Sequence, residues 1–597
     1  MSDTTPQENA PEGVVGWLEK RGGLHTLFRA ALDRPVPSVA RFRYALGAAL
    51  VSSLIIEIVT GLLLMTIYSP SVEAAWASAF HIDQVLSMGW FLRGLHNYAA
   101  HAMVIVAAMH LASVVVAGVY RAPREMNWWL GLGLLGILIA FTLTGNALVW
   151  DQDGYWAWNV ETGIAGGAPV IGPYIHRVVL GGTELGNATL TRLYALHVGL
   201  LPLVVLLLLR GHVVLARKHA LSRRAAEWGV EPAWPRQVFL NLVFTTVFLG
   251  TISWMVVANH GVSLEAPADP ASQYPARPAW FFLWLFELRK SFPGPREIIA
   301  TMVIPGALAS VMFLLPFIDR VLPRKVAHFF ACAFAFGVLG GAGYLSVRSL
   351  QADGADSHYR EALIEAEHAR ERAFALASRG VPPGGAAILL ERDPLFHGRK
   401  VFEQKCQGCH PFEKRRIGEG SMAAPELKGF GTKEWVRALL ENPDEPSFFG
   451  GIKRCDPLLA GMANWKKGTG KNLSAEELDQ LSAFVASFAE IPPDTPVPVW
   501  ENSDLVQNDP GYALWADQCA SCHLWGEADE ANFGPSLYAW GSRAWFRRML
   551  LSPDAPDLYG AVKSACRMPA FAGQLTENDI DTMYRFLRGD YQGNEGP

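Results

Sequence analysis

Seven long apolar stretches punctuate the first 350 residues, at about 44–68, 94–119, 128–149, 194–215, 238–258, 297–317 and 327–347. Each is long enough to cross roughly 30 Å of hydrocarbon as a helix, so the pattern predicts seven membrane spans. The basic residues between them fall on alternate loops. Arg29, Arg34, Arg41 and Arg43 precede the first span, and Arg121 and Arg124 follow the second. Arg217, Lys218, Arg223 and Arg224 follow the fourth; Arg320, Arg324 and Lys325 follow the sixth. Positive charge marks the cytoplasmic side, which predicts a cytoplasmic N-terminus and an outer location for everything after residue 348. Residues 14–32 alternate apolar and basic positions and predict a helix lying on the membrane surface. Residues 351–379 are charged and Ala-rich and predict an exposed helical spacer, closed by Val381 and the Pro-Pro-Gly-Gly that follows it.

Polar residues inside the spans change this picture from a bundle to a site. His96 and His110 lie 14 residues apart in the second span, and His197 and His212 lie 15 apart in the fourth. At 100° and 1.5 Å per residue, each pair shares a helix face with its members roughly 21 Å apart along the axis. One such pair cannot meet on a single metal, but two matched helices hold two haems by bis-histidine ligation, His96 with His197 and His110 with His212. Intramembrane histidine is costly, so four in this register point to function. His101 faces elsewhere and is expected to pack. Arg217 and Lys218, at the end of the fourth span, are placed to meet haem propionates or a quinone. Only 18% of residues are charged and 50% are hydrophobic, as befits a membrane protein with a soluble part, and a net charge of −5 gives no reason to expect nucleic-acid binding.

The tail carries different chemistry. Cys406-Gln-Gly-Cys409-His410 recurs as Cys519-Ala-Ser-Cys522-His523, and Pro425-Glu-Leu-Lys-Gly-Phe-Gly431 recurs as Pro535-Ser-Leu-Tyr-Ala-Trp-Gly541. C-x-x-C-H attaches c-type haem through two thioethers, with the histidine on iron. A repeat of about 110 residues, on the side of the membrane where such haem is attached, predicts two tethered haems. Met568, in Cys566-Arg-Met-Pro-Ala-Phe, is the expected sixth ligand of the second, and Met462 that of the first, with Met422 a competitor. Cys455 and Cys566 are repeat-equivalent and remain either free or disulfide-bonded. Cys332, in the seventh span, is expected to be an apolar filler.

Arg93-Gly94-Leu95-His96, Pro123-Arg124-Glu125, Trp150-Asp151-Gln152 followed by Gly154-Tyr155-Trp156, and the run from Thr189 to His197 resemble the cytochrome b of bc-type quinol:cytochrome c oxidoreductases. The resemblance covers residues 14–347 and is closest to the chloroplast and cyanobacterial type. It implies that Gly47, Gly61, Gly131 and Gly145 pack against porphyrin and that Arg93 belongs to the cofactor-binding set. It also implies a quinol-oxidising pocket built from the 150–193 loop and the 260–296 loop. The latter carries Pro278-Ala279-Trp280-Phe281 where the family has Pro-Glu-Trp-Tyr. The family's proton-accepting Glu is thus Ala279 here, leaving Glu287 and Asp153 as substitutes beside Trp280 and Phe281. Glu57 stands where the family usually has Gln. Ala45 replaces the cysteine that tethers an extra haem in the chloroplast type, so no such haem is expected.

The expected fold is all-α: a seven-helix transmembrane cytochrome b followed by two class-I-like cytochrome c domains. The expected segments are 1–43 (cytoplasmic, with the surface helix), 44–225 (di-haem core), 226–348 (three further spans), 349–392 (linker), 393–492 and 493–597 (cytochrome c domains). By resemblance, quinol is oxidised outside, one electron going to a Rieske-type iron–sulfur protein not encoded here and then to the c haems and a downstream acceptor. The other crosses the two b haems. A homodimer within a larger complex of the bacterial inner membrane is implied. The rival expectations are a quinone-reducing module and a non-catalytic electron conduit, each fed through the c haems.

Overall fold

The structure is a computed structural model of the 597-residue chain. It describes residues 16–17, 21, 32–33, 35–37, 41–219, 229–272, 274–413, 424–450, 460–492, 494–523, 525, 534–556, 558 and 568–591. Most of the surface helix expected over 14–32, together with Arg223, Arg224, Met422, Cys455 and Cys566, lies outside the described residues. The chain divides into two compact units, Met1–Ala387 and Ile388–Pro597.

Among the described residues, the first unit contains seven helices long and apolar enough to cross a membrane: Phe42–Met65, Gly89–Val116, Glu125–Leu148, Asn187–Lys218, Arg236–Ala258, Gly294–Val321 and Arg324–Ala355. Leu62, Leu207, Phe239, Val247, Trp254 and Phe329 on these helices are each more than half exposed. Apolar surface on this scale suits lipid, not water. The first span packs along the second, the third along the fourth, and the fifth against the first two. The sixth is stitched to the third by the indoles of Trp128 and Trp129, which donate to the carbonyls of Met312 (2.8 Å) and Phe313 (3.0 Å). Cys332 is half-buried beside the small cluster around Leu315 and Val115, with its thiol 3.8 Å from His328 Nε2. The seventh helix continues past its apolar stretch to Ala355. There Asp356 ends it and caps the next helix, Ser357–Ala377, by accepting from the amides of His358 and Tyr359. The spacer predicted from charge is therefore two helices with a capped break. Strand β1 (Pro35–Pro37) pairs antiparallel with β2 (Val230–Pro232).

The fourth span holds one irregularity. Leu196–Leu200 forms a π-turn, and His197 lies within it. A π-turn absorbs one extra residue, so the 15-residue spacing from His197 to His212 behaves on this helix as the 14-residue spacing does on the second.

The second unit is built from α1 (Arg399–Lys405), α2 (Lys433–Glu441), α3 (Ala460–Lys467), α4 (Ala475–Ser487), α5 (Pro510–Gln518), α6 (Arg543–Leu551) and α7 (Glu577–Arg588). Capping boxes at Ser474/Glu477 and Thr576/Asp579 start α4 and α7. One aromatic core runs through both sequence repeats, including Phe402, Phe430, Trp435, Phe484, Trp540 and Phe586. Helix pairing crosses the repeat boundary: α7 packs on α1 and the turn Pro394–Gly398 before it, whereas α4 packs on α5.

Candidate functional site

The four intramembrane histidines come together as two pairs. The rings of His96 and His197 face each other with centroids 6.4 Å apart. His96 Nδ1 lies 2.9 Å from the Thr60 hydroxyl and 2.8 Å from a Glu57 carboxyl oxygen. His197 Nδ1 lies 2.9 Å from the Thr144 hydroxyl. Both hydroxyls donate to carbonyls one turn back, of Ile56 and Ala140 (2.7 Å each), so their oxygens are left to accept from the imidazoles. Each ring thereby carries its proton on Nδ1 and presents the Nε2 lone pair, as a metal-ligating histidine does. Gly61 and Gly145 lie against the rings. A Cβ there would come within 3.3 Å of His96 Cε1 and 2.9 Å of His197 Cε1.

The second pair, His110 and His212, lies about 21 Å further along the helices. His212 Nδ1 donates to the Asn127 carbonyl (3.1 Å), while His110 Nδ1 is buried without a partner among the described residues. Gly131 faces His212 Cε1 at 3.3 Å and Gly47 faces His110 Cε1 at 3.9 Å, measured from a built Cβ. Among the described residues no group of three or more His, Cys, Asp or Glu could hold a bare metal ion. Two facing neutral imidazoles suit an iron whose other ligands come from a macrocycle. The gap between His96 and His197 admits one metal with bonds of about 2 Å on either side. The residues present fit haem.

Other candidates are differently engaged. Arg93 binds Asp83 (Nε to Oδ1, 2.8 Å) and the carbonyls of Val262 (2.8 Å) and Ser263 (3.1 Å), locking the second span to the loop after the fifth. Arg217 and Lys218 end the fourth span with exposed side chains. Glu287 is buried between Lys290 (2.7 Å) and Arg348 (3.3 Å).

The loops after the third and fifth spans form one body. The Gln152 amide donates to the Ala266 carbonyl (2.9 Å) and the Ala268 amide to the Trp150 carbonyl (3.2 Å). The Asp151 carboxylate accepts from the amides of Gly154 (2.9 Å) and Glu265 (3.1 Å). Carboxyls gather here, Asp151 buried and Asp153 and Glu161 half-buried. Burial first, then the neighbouring Asp151, pushes the Asp153 carboxyl up to about 7. Burial, then Asp153, pushes Glu161 up to about 8. Sequence reasoning misses Glu161; a Glu three residues after Trp158 in a Trp-rich loop is the available signal. Further along, Trp280 donates from Nε1 to His101 Nδ1 (3.0 Å), and Phe281 lies 6.1 Å from the same ring. His101, expected only to pack, thus touches the Pro278–Phe281 motif. Helical phase alone showed that it faced away from the other histidines, not what it faced.

In the second unit, His410 Nδ1 donates to the Pro425 carbonyl (2.8 Å) and His523 Nδ1 to the Pro535 carbonyl (3.0 Å). Burial holds both imidazoles below their usual range, hence neutral and ready to ligate, against an opposing contribution from the carbonyl bonds. Cys406 is buried and Cys409 exposed. Met462 and Met568 are half-buried against the common core.

Comparison with known proteins agrees with this geometry. The family described as "Cytochrome b/b6/petB" matches residues 31–220, "Cytochrome c" matches 397–489, and "Cytochrome C oxidase, cbb3-type, subunit III" matches 506–587. Cytochrome b6 of Emiliania huxleyi is 32% identical over 209 residues, 35% of this chain and 97% of the relative. Cytochrome b6 of Synechococcus elongatus is 33% identical over the same length and coverage. A solved chain titled "Hyperthermophilic respiratory Complex III" aligns over 57% of this chain with 23% identity and a TM-score of 0.47, too loosely to build on. The chain belongs to the cytochrome b/b6 family, as an integral membrane haem protein that carries cytochrome c domains after its membrane helices.

Proposed function

We propose that this chain is the cytochrome b/c subunit of a quinol:cytochrome c oxidoreductase, with its C-terminal unit outside the bacterial inner membrane. It works as a homodimer in a larger complex, with a Rieske-type iron–sulfur protein and a downstream electron acceptor. The observation that carries this reading is four intramembrane histidines at two depths of one bundle, with His96 facing His197 and the Nδ1 atoms of both anchored, in a chain that also bears two C-x-x-C-H motifs. His96 with His197 and His110 with His212 would hold two b-type haems. Cys406, Cys409 and His410, and Cys519, Cys522 and His523, would hold two c-type haems, with thioether sulfur from Met462 and Met568. When bound, these groups supply one-electron transfer through protein and membrane.

The chain's own residues supply positioning and proton handling. Trp280 and Phe281 wall the quinol pocket. Glu287 is already engaged by Lys290 and Arg348. Asp153 titrates near neutrality and is the better general base, with Glu161 beside it as the next proton site. The decisive experiment follows b-haem absorbance after mixing with quinol, with the iron–sulfur partner present, and records protons released outside. Quinol-dependent b reduction blocked by a quinol-site inhibitor supports the reading. Reduction of quinone by a reduced outer donor, with no response to quinol, would support instead the reading that Ala279 favours, a quinone-reducing module.

A further inference from the structure

We infer that the two repeats of the C-terminal unit exchange their second halves, and with them their sixth ligands: Met568 completes the iron site at His410, and Met462 completes the one at His523. The inference rests on the c-haem assignment proposed above and reverses the pairing that the linear repeat suggests.

The exchange stands on matched contacts. Gly398 and Gly511 are repeat-equivalent: Gly398 immediately precedes α1 and Gly511 is the second residue of α5. A Cβ on Gly398 would lie 2.2 Å from the Thr582 carbonyl oxygen, on α7 of the second repeat. A Cβ on Gly511 would lie 2.4 Å from Phe484 Cβ and 2.7 Å from the Gln480 oxygen, on α4 of the first. Only glycine permits crossings this close, and both join one repeat to the other. Around the first attachment site, Cys406 Sγ contacts Met583 Sδ (3.7 Å) and Phe412 stacks on Phe586 (4.9 Å between centroids). His397 binds Asp579 (2.7 Å), and the Gly429 amide donates to the Leu587 carbonyl (2.7 Å). All four partners lie on α7. Around the second, Phe484 of α4 meets Tyr512 (6.1 Å), and Phe488, just beyond α4, meets Trp515 edge-on (6.3 Å). Near the crossover, Gly431 and Gly541, also equivalent, approach to 3.4 Å from a built Cβ to the opposite Cα.

The methionines travel with these helices. Trp465 on α3 donates from Nε1 to Gln518 Oε1 (3.2 Å), and Gln518 is bonded to Cys519. Met462, three residues before Trp465, lies on nearly the same helix face and so on the side of the second attachment site. Met568 precedes Phe571, whose amide donates to the Leu550 carbonyl of α6 (2.9 Å), and α6 packs on α7, the helix seated at Cys406.

The test uses the full chain carrying Cys519→Ala and Cys522→Ala, which leaves one c haem, at His410. Met568→Ala is expected to abolish the ferric methionine–iron charge-transfer band of that haem, and Met462→Ala to leave it intact. The opposite result overturns the inference while leaving the haem assignment standing; absence of covalent haem from the unaltered chain would overturn the assignment itself. A second measurement needs no haem deletion. In the otherwise unaltered chain, oxidation is expected to link His397→Cys to Asp579→Cys, and not to Glu477→Cys, the equivalent position of the first repeat. A link to 477 with none to 579 overturns the exchange.

Discussion

The His96–His197 pair of the membrane half and the histidines of the tail are held by different means. In the bundle, His96 and His197 are 101 residues apart in sequence and meet because four helices pack; their Nδ1 atoms lean on side chains, Thr60, Glu57 and Thr144. In the tail, each histidine lies four residues after the first cysteine of its own motif, and its Nδ1 leans on a backbone carbonyl, of Pro425 or Pro535. Side-chain partners are adjustable by substitution and backbone partners are not. The His96–His197 site should therefore be tunable one residue at a time, whereas His212, whose Nδ1 donates to the Asn127 carbonyl, and the tail histidines depend on the course of the chain.

That contrast can be broken most forcefully by His197→Leu, which should remove one b haem from the reduced-minus-oxidised spectrum and leave both c haems. Loss of c-haem absorbance as well would show that the halves are not independent. Next, Gly145→Ala should lower b-haem occupancy far more than Gly47→Ala. The added methyl meets His197 at 2.9 Å in one case and His110 at 3.9 Å in the other. Equal occupancy in the two variants would contradict the packing.

The quinol-oxidation rate should climb through about pH 7 as Asp153 loses its proton and becomes able to accept one. Asp153→Asn should flatten that limb; an unchanged profile would remove Asp153 from the proton path. His101→Leu should raise the quinol KM roughly two- to tenfold if the Trp280 contact shapes the pocket, the scale of one lost hydrogen bond. The smallest effect is expected from Glu57→Gln. Replacing the Glu57 carboxyl beside His96 Nδ1 by an amide should shift the reduction equilibrium of the haem at His96 by about twofold, equivalent to about 0.5 kcal/mol. A redox titration resolving the two b haems would show whether only one moves.

Much of this was legible in the sequence. Apolar runs located the spans, and a 14- or 15-residue interval between histidines located two depths. What periodicity could not convey was the π-turn at His197, which explains why one interval is a residue longer. Nor could it say what His101 touches, because a helix phase gives a direction and not a neighbour. The tail shows a different limit. C-x-x-C-H is read within five residues, but α4 and α7 have the same amphipathic pattern, so either could dock on either attachment helix. The contacts in the folded unit choose between them, the close crossings at Gly398 and Gly511 and the His397–Asp579 pair among them.

The most direct test of the central claim is a haem inventory by type on the purified chain, from pyridine haemochrome spectra and covalent retention after acid–acetone extraction. The account predicts two extractable b haems and two retained c haems per chain. A preparation with its full complement of polypeptide that lacked either class, or held only one b haem, would contradict it.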